Sequence, residues 1–239
     1  MKNKKKAIGA LLFRTLGLFI GITAITLQLF TNKIIGKGFM SNHVLAYFTL
    51  QTNIFTTLIF LYLVGKTIYL ACKTKELEIA HMKESINLAF TYYITITMLG
   101  YWILLAPTVG LGDDGLSISN TLFLHTFTPL MAIFDVILFL NHGKINKLDA
   151  FIWLLYPVIY LISVIIIAST SNIPYYKFPI GDKVISLMYP YPFLDPQVVT
   201  LGGAIGVMLA LVVFALAGGY GYICLDHKIA KHMAKKKTI

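Results

Sequence analysis

Hydrophobic residues fall along this chain in six long runs, near 8–30, 44–70, 86–107, 120–140, 150–169 and 199–225, separated by shorter polar stretches. Each run meets the roughly 20 residues that an α-helix needs to cross a bilayer. No run alternates with the period of two that a transmembrane barrel strand requires. The pattern therefore predicts helices, which satisfy their own backbone groups in lipid. The expected fold is an all-α integral membrane protein, one six-helix transmembrane domain over 1–239 without an internal repeat.

The second run is interrupted. "YFTLQTNIFTTL", residues 47–58, carries Thr49, Gln51, Thr52, Asn53, Thr56 and Thr57, which lipid does not require. Thr49, Asn53 and Thr56 fall at i, i+4 and i+7 on one helical face, and Thr121, His125 and Thr128 do the same in the fourth run. A threonine inside a span commonly bonds its own i−4 carbonyl or a neighbouring helix; the other reading of Thr49 is a nucleophile. An ionisable group inside a span is costly and marks either function or a helix lock, and both readings stand for His125. Counted from His43 and Asn120 at about 1.5 Å per residue, Thr49 and His125 lie about 9 and 8 Å along their helices from the same side.

Arg14 and Asp135 lie at similar depth from the other side with opposite signs, which predicts a buried structural ion pair, because an unpaired charge there costs at least ~2.5–3.5 kcal/mol. The connection over about 170–198 is rich in proline and tyrosine. It reads either as an ordered cap above Thr49 and His125 or as an interfacial anchor for the helix ends. Gly202 and Gly206 form a small-xxx-small pair, read as a close helix contact.

Composition agrees with a bilayer. The chain is 57% hydrophobic and 13% charged, against about 25% charged residues in soluble domains. Its net charge of +10 would suit nucleic acid, but the lysines gather beside the span ends. With the N-terminus inside, Lys2, Lys4, Lys5, Lys6, Lys66, Lys73, Lys75, Lys83, Lys144, Lys147, Lys228, Lys231, Lys235, Lys236 and Lys237 face inward, against Lys33, Lys37, Lys177 and Lys183 outside. That positive-inside bias predicts cytoplasmic termini, a multi-pass plasma-membrane location, membrane lipids as partners and no nucleic acid. "MKNKKKAIGALLF" begins like a secretory signal but reads as a retained first helix. Cys72 and Cys224 read as free thiols, and His43, His81, His125 and His142 are too scattered for a metal site, so neither metal nor cofactor is expected. The Lys-, Ile- and Asn-rich usage fits an AT-rich bacterial genome.

"YFTLQTN", "FLHTFTPLMAIFD" and "YPFLD" together resemble the androgen-induced and androgen-dependent family of multi-pass membrane threonine hydrolases, in its bacterial six-helix branch. The resemblance covers about 44–225. It implies hydrolysis of fatty acid esters of hydroxy fatty acids, or of a related acyl lipid entering from the outer leaflet. It places the nucleophile on Thr49, the histidine on His125, and the "YPFL-acid" signature on Tyr191 to Asp195. Pro129 falls four residues after His125 where five is the vertebrate spacing. The oxyanion and substrate-binding candidates are Asn53, Gln51, Tyr191 and Asp195. The competing class is a non-enzymatic protein that binds or transports a lipid or small amphiphile, favoured by the polar face of the second helix and the glycines of the sixth.

Overall fold

The computed structural model describes residues 2–34, 44–112, 114–181 and 183–237. Six helices carry the chain: α1 (Lys2–Ile34), α2 (Phe48–Thr74), α3 (Glu84–Val109), α4 (Gly115–Phe139), α5 (Asp149–Thr170) and α6 (Pro196–Lys237). Each contains a stretch long and apolar enough to cross a membrane. Leu12, Phe19, Leu61, Ile103, Ile159 and Val213 belong to a broad apolar surface that stays exposed on the outside of the molecule. Monomeric soluble proteins rarely expose so much contiguous apolar area; this is the build of a multi-pass membrane protein.

Several helix limits differ from the sequence reading: α1 begins at Lys2, and α4 begins at Gly115 and not near Asn120. α2 begins at Phe48, after a 3-10 turn over Val44–Ala46. Thr49 thus sits in its first turn instead of well along it, while His43 lies outside the described residues. α6 runs past 225 into a polar, lysine-bearing tail.

α1 to α4 pack together, and α5 and α6 form a pair set against α3. Glycine lets α1 approach α2. A Cβ on Gly17 would come within 2.9 Å of the Phe60 ring, and one on Gly21 would collide with the Thr57 hydroxyl. Gly202 and Gly206 do not play the expected part, since a Cβ on either meets nothing within 4 Å. They lie on the exposed face of α6, and the close approach on that helix is at Gly218, against the Tyr92 ring.

Arg14 and Asp135 form an ion pair between α1 and α4. Arg14 Nε donates to Asp135 Oδ1 at 2.7 Å and Nη2 to Oδ2 at 3.3 Å, while Nη1 reaches the Ala80 carbonyl at 2.7 Å. Both residues are buried. A buried charge needs this many partners to be tolerated.

The connection between α5 and α6 is ordered, and it contains strands where the sequence reading had only a loop. β1 (Tyr176–Ile180) pairs antiparallel with β2 (Lys183–Leu187), Ile180 opposite Lys183, with Gly181 at φ 55° in the turn. A 3-10 turn over Pro192–Leu194 follows. The segment caps one end of the bundle: Tyr175, Leu187, Tyr191 and Leu194 are buried, and the Tyr47 ring meets Tyr175 and Tyr191 edge-on.

Candidate functional site

Beneath the cap lies a half-open cavity lined by residues of α2, α3, α5, α6 and the connection. Most of its wall is apolar, with Ile96, Leu104, Leu161, Leu211 and Phe214 among the lining side chains. Thr49, Thr97, Tyr101, Tyr160 and Tyr191 bring the hydroxyls to its wall.

Thr49 is held there by the start of its own helix. The first N–H groups of a helix have no intrahelical acceptor, and Tyr47 in the capping position supplies no side-chain bond. Two tyrosines do so instead. The Phe48 N–H donates to the Tyr160 hydroxyl at 3.3 Å and the Thr49 N–H to the Tyr191 hydroxyl at 3.4 Å. Burial holds the Tyr191 phenol above its ordinary pKa, so at neutral pH it is a protonated donor and not a base.

His125 is positioned by a proline. α3 and α4 each contain a five-residue π-helical turn, Tyr101–Leu105 and Phe123–Phe127. In the second, the Thr128 N–H bonds the Phe123 carbonyl instead of that of Leu124, and Pro129 has no N–H to offer either Leu124 or His125. Two carbonyls are left over, and neighbouring helices take them. Asn53 Nδ2 of α2 reaches Leu124 O at 3.1 Å, and Trp102 Nε1 of α3 reaches His125 O at 3.2 Å. The same device recurs on α5, where Pro157 frees the Trp153 carbonyl and the Tyr93 hydroxyl takes it at 2.8 Å.

The bond from Asn53 to Leu124 fixes the relative level of α2 and α4, and puts the His125 backbone about one turn deeper than Thr49. Side chains on a helix lean back over the preceding turn. The His125 ring does so, with Nδ1 at 3.1 Å from the Thr121 carbonyl, which returns the imidazole toward the level of Thr49. A carbonyl partner makes Nδ1 the protonated nitrogen and leaves the lone pair on Nε2. Tyr101 stacks on the imidazole, with centroids 3.9 Å apart and planes 18° apart.

Thr49 and Tyr101 line the same cavity, and His125 stacks on the Tyr101 ring. Among the described residues no hydrogen bond joins Thr49 to His125, and Tyr101 lines the cavity where His125 does not.

The other candidates have partners of their own. Asn53 Nδ2 also donates to Thr49 O at 2.8 Å, so both amide hydrogens are engaged by carbonyls. Gln51 faces α5, giving Nε2 to Leu45 O and taking the Tyr156 hydroxyl on Oε1. The Asp195 carboxylate accepts the N–H groups of Met188 and Gln197, both at 2.9 Å. It ties the cap to the start of α6, while the His125 ring is oriented by Thr121 instead. Tyr191 remains at the site. Arg14 and Asp135 are not among the cavity's lining residues. Among the described residues, no group of three or more His, Cys, Asp or Glu is placed to hold a metal.

Sequence reasoning missed Tyr101, Trp102 and Tyr160. Pro129 was the available signal for Trp102, because a proline inside a span announces orphan carbonyls that a donor on the next helix must meet. Searches against protein-family models, curated proteins and solved structures each returned no match.

Proposed function

We propose that this protein is a plasma-membrane hydrolase of acyl-lipid esters, with both termini cytoplasmic and Thr49 as its nucleophile. The observation that carries the reading is a hydroxyl on the wall of an apolar cavity, at the N-terminus of a long helix. The cavity suits an acyl chain, and Leu104 and Phe214 in its wall are also exposed on the lipid side. Negative charge developing at Thr49 meets the positive end of the α2 dipole. The Tyr191 hydroxyl is the donor left for a tetrahedral oxyanion, because the N–H groups of Phe48 and Thr49 are already given to Tyr160 and Tyr191.

In this scheme the Thr49 hydroxyl attacks the ester carbonyl and gives up its proton to His125 Nε2. The imidazolium protonates the leaving alcohol, and a water then releases the acid. Tyr101 must turn aside, or a water must bridge, for that proton to pass. The position of Tyr101 favours a second reading, in which the cavity holds an acyl lipid without reacting with it.

Turnover of a fluorogenic long-chain ester in nanodiscs separates the two. Hydrolysis is expected in the native protein and in Thr49→Ser, and is expected to fall about 100-fold or more in Thr49→Ala and His125→Ala. Turnover that survives Thr49→Ala would sink the nucleophile. Saturable binding of a fluorescent fatty acid without any turnover would select the binding protein.

A further inference from the structure

A second, smaller cavity lies deeper in the bundle, between α2, α3 and α4. Thr56, Ile59, Phe60, Asn87, Thr91, Ala132 and Asp135 enclose it, and it plays no part in the scheme above. Most buried threonines of these helices donate to the carbonyl four residues back: Thr57 to Asn53 at 2.8 Å, Thr67 to Leu63 at 2.7 Å, Thr91 to Asn87 at 3.0 Å and Thr95 to Thr91 at 2.8 Å. Thr56 does not. Its hydroxyl is buried without a hydrogen-bond partner on a residue only 4% exposed. The Asn87 side-chain amide, on a residue 5% exposed, likewise makes no hydrogen bond to another described residue. One turn from Thr56, Asn53 Oδ1 is also unpartnered and buried.

An unmet buried hydroxyl such as that of Thr56 is uncommon in native proteins, and beside a small space that an amide and a carboxylate also line, an ordered water completes it. We infer that Thr56, Asn87 and Asp135 hold bound water, which joins α2 and α3 to the Arg14–Asp135 pair of α1 and α4. The chemistry favours water over a cation. Asp135 is already neutralised by Arg14 at 2.7 Å, so an added positive charge would face the guanidinium, whereas water both donates and accepts. The bridge gives the ion pair hydrogen-bonded contact with all four helices of the bundle. It does not depend on whether Thr49 is catalytic.

X-ray hydroxyl-radical footprinting of the full-length protein in nanodiscs tests this directly, because radicals form from water held inside the fold. Phe60 is 1% exposed and lines the cavity, so it reports on that water alone. The native protein and Thr56→Ser are expected to show oxidation at Phe60. In Thr56→Val/Asn87→Leu the rate should drop about fivefold or more as the polar partners of the water are lost, with exposed Met233 as an unchanged internal control. If the double variant does not fold, Thr56→Val alone is expected to give a smaller drop. An unoxidised Phe60 in native protein, or a rate unmoved by Thr56→Val, would overturn the inference. Protection of Phe60 by sodium but not by choline would reassign the site to a cation.

Discussion

The two polar regions of this bundle bury their hydrogen-bonding groups in opposite ways. Around Arg14 and Asp135 both partners carry full charge, and the guanidinium is engaged on three nitrogens. Around Thr49 every group is neutral, the two N–H contacts to tyrosine hydroxyls are long, and the residues line a half-open, mostly apolar cavity. A charge whose partners are all inside the protein has little left to offer a ligand. A hydroxyl beside open apolar space, at a helix start, retains its capacity for chemistry. The first region is a clasp, and the second is where the proposed substrate would fit.

The largest effect should come from breaking the clasp. Asp135→Leu leaves Arg14 buried and unpaired, at about 3–5 kcal/mol, read as loss of folded protein in thermal unfolding. Arg14→Met/Asp135→Leu together should recover most of that loss. A double variant as unstable as the single one would contradict the clasp. Thr49→Ala should do the reverse, cutting ester turnover about 100-fold or more with little change in thermal stability, because one hydroxyl contributes only about 1 kcal/mol.

Packing gives the next contrast. Gly21→Leu must displace Thr57 and should cost about 1–3 kcal/mol. Gly206→Leu, on the open face of α6, should leave stability unchanged by the same unfolding assay. The smallest effect is expected at the cap. Tyr191→Phe removes the hydroxyl that meets Thr49 and should lower turnover about tenfold, on the scale of one weak hydrogen bond. An equal loss of stability instead would make Tyr191 a structural cap only.

The six helices were legible because a bilayer-length apolar run has few alternative folds. The Arg14–Asp135 pairing was legible because a charge in a span must find its opposite at the same depth. Thr49 and His125 stood out for the same reason, as polar groups where lipid asks for none. Their surroundings were not legible. The π turn at Phe123–Phe127 arises from how Pro129 and the neighbouring helices share carbonyls, which no helical wheel represents. Nor did periodicity distinguish Gly17 and Gly21, which pack, from Gly202 and Gly206, which do not. The β1–β2 hairpin was not legible because its strands are short, β1 contains Pro179, and Gly181 follows it in the turn.

The most direct test of the central claim is to treat the native protein in nanodiscs with a fluorophosphonate probe and map the adduct by peptide mass spectrometry. A hydrolase built on Thr49 predicts a phosphonate on Thr49, absent in Thr49→Ala and sharply reduced in His125→Ala. Folded native protein with no adduct, or an adduct on any other residue, would contradict it.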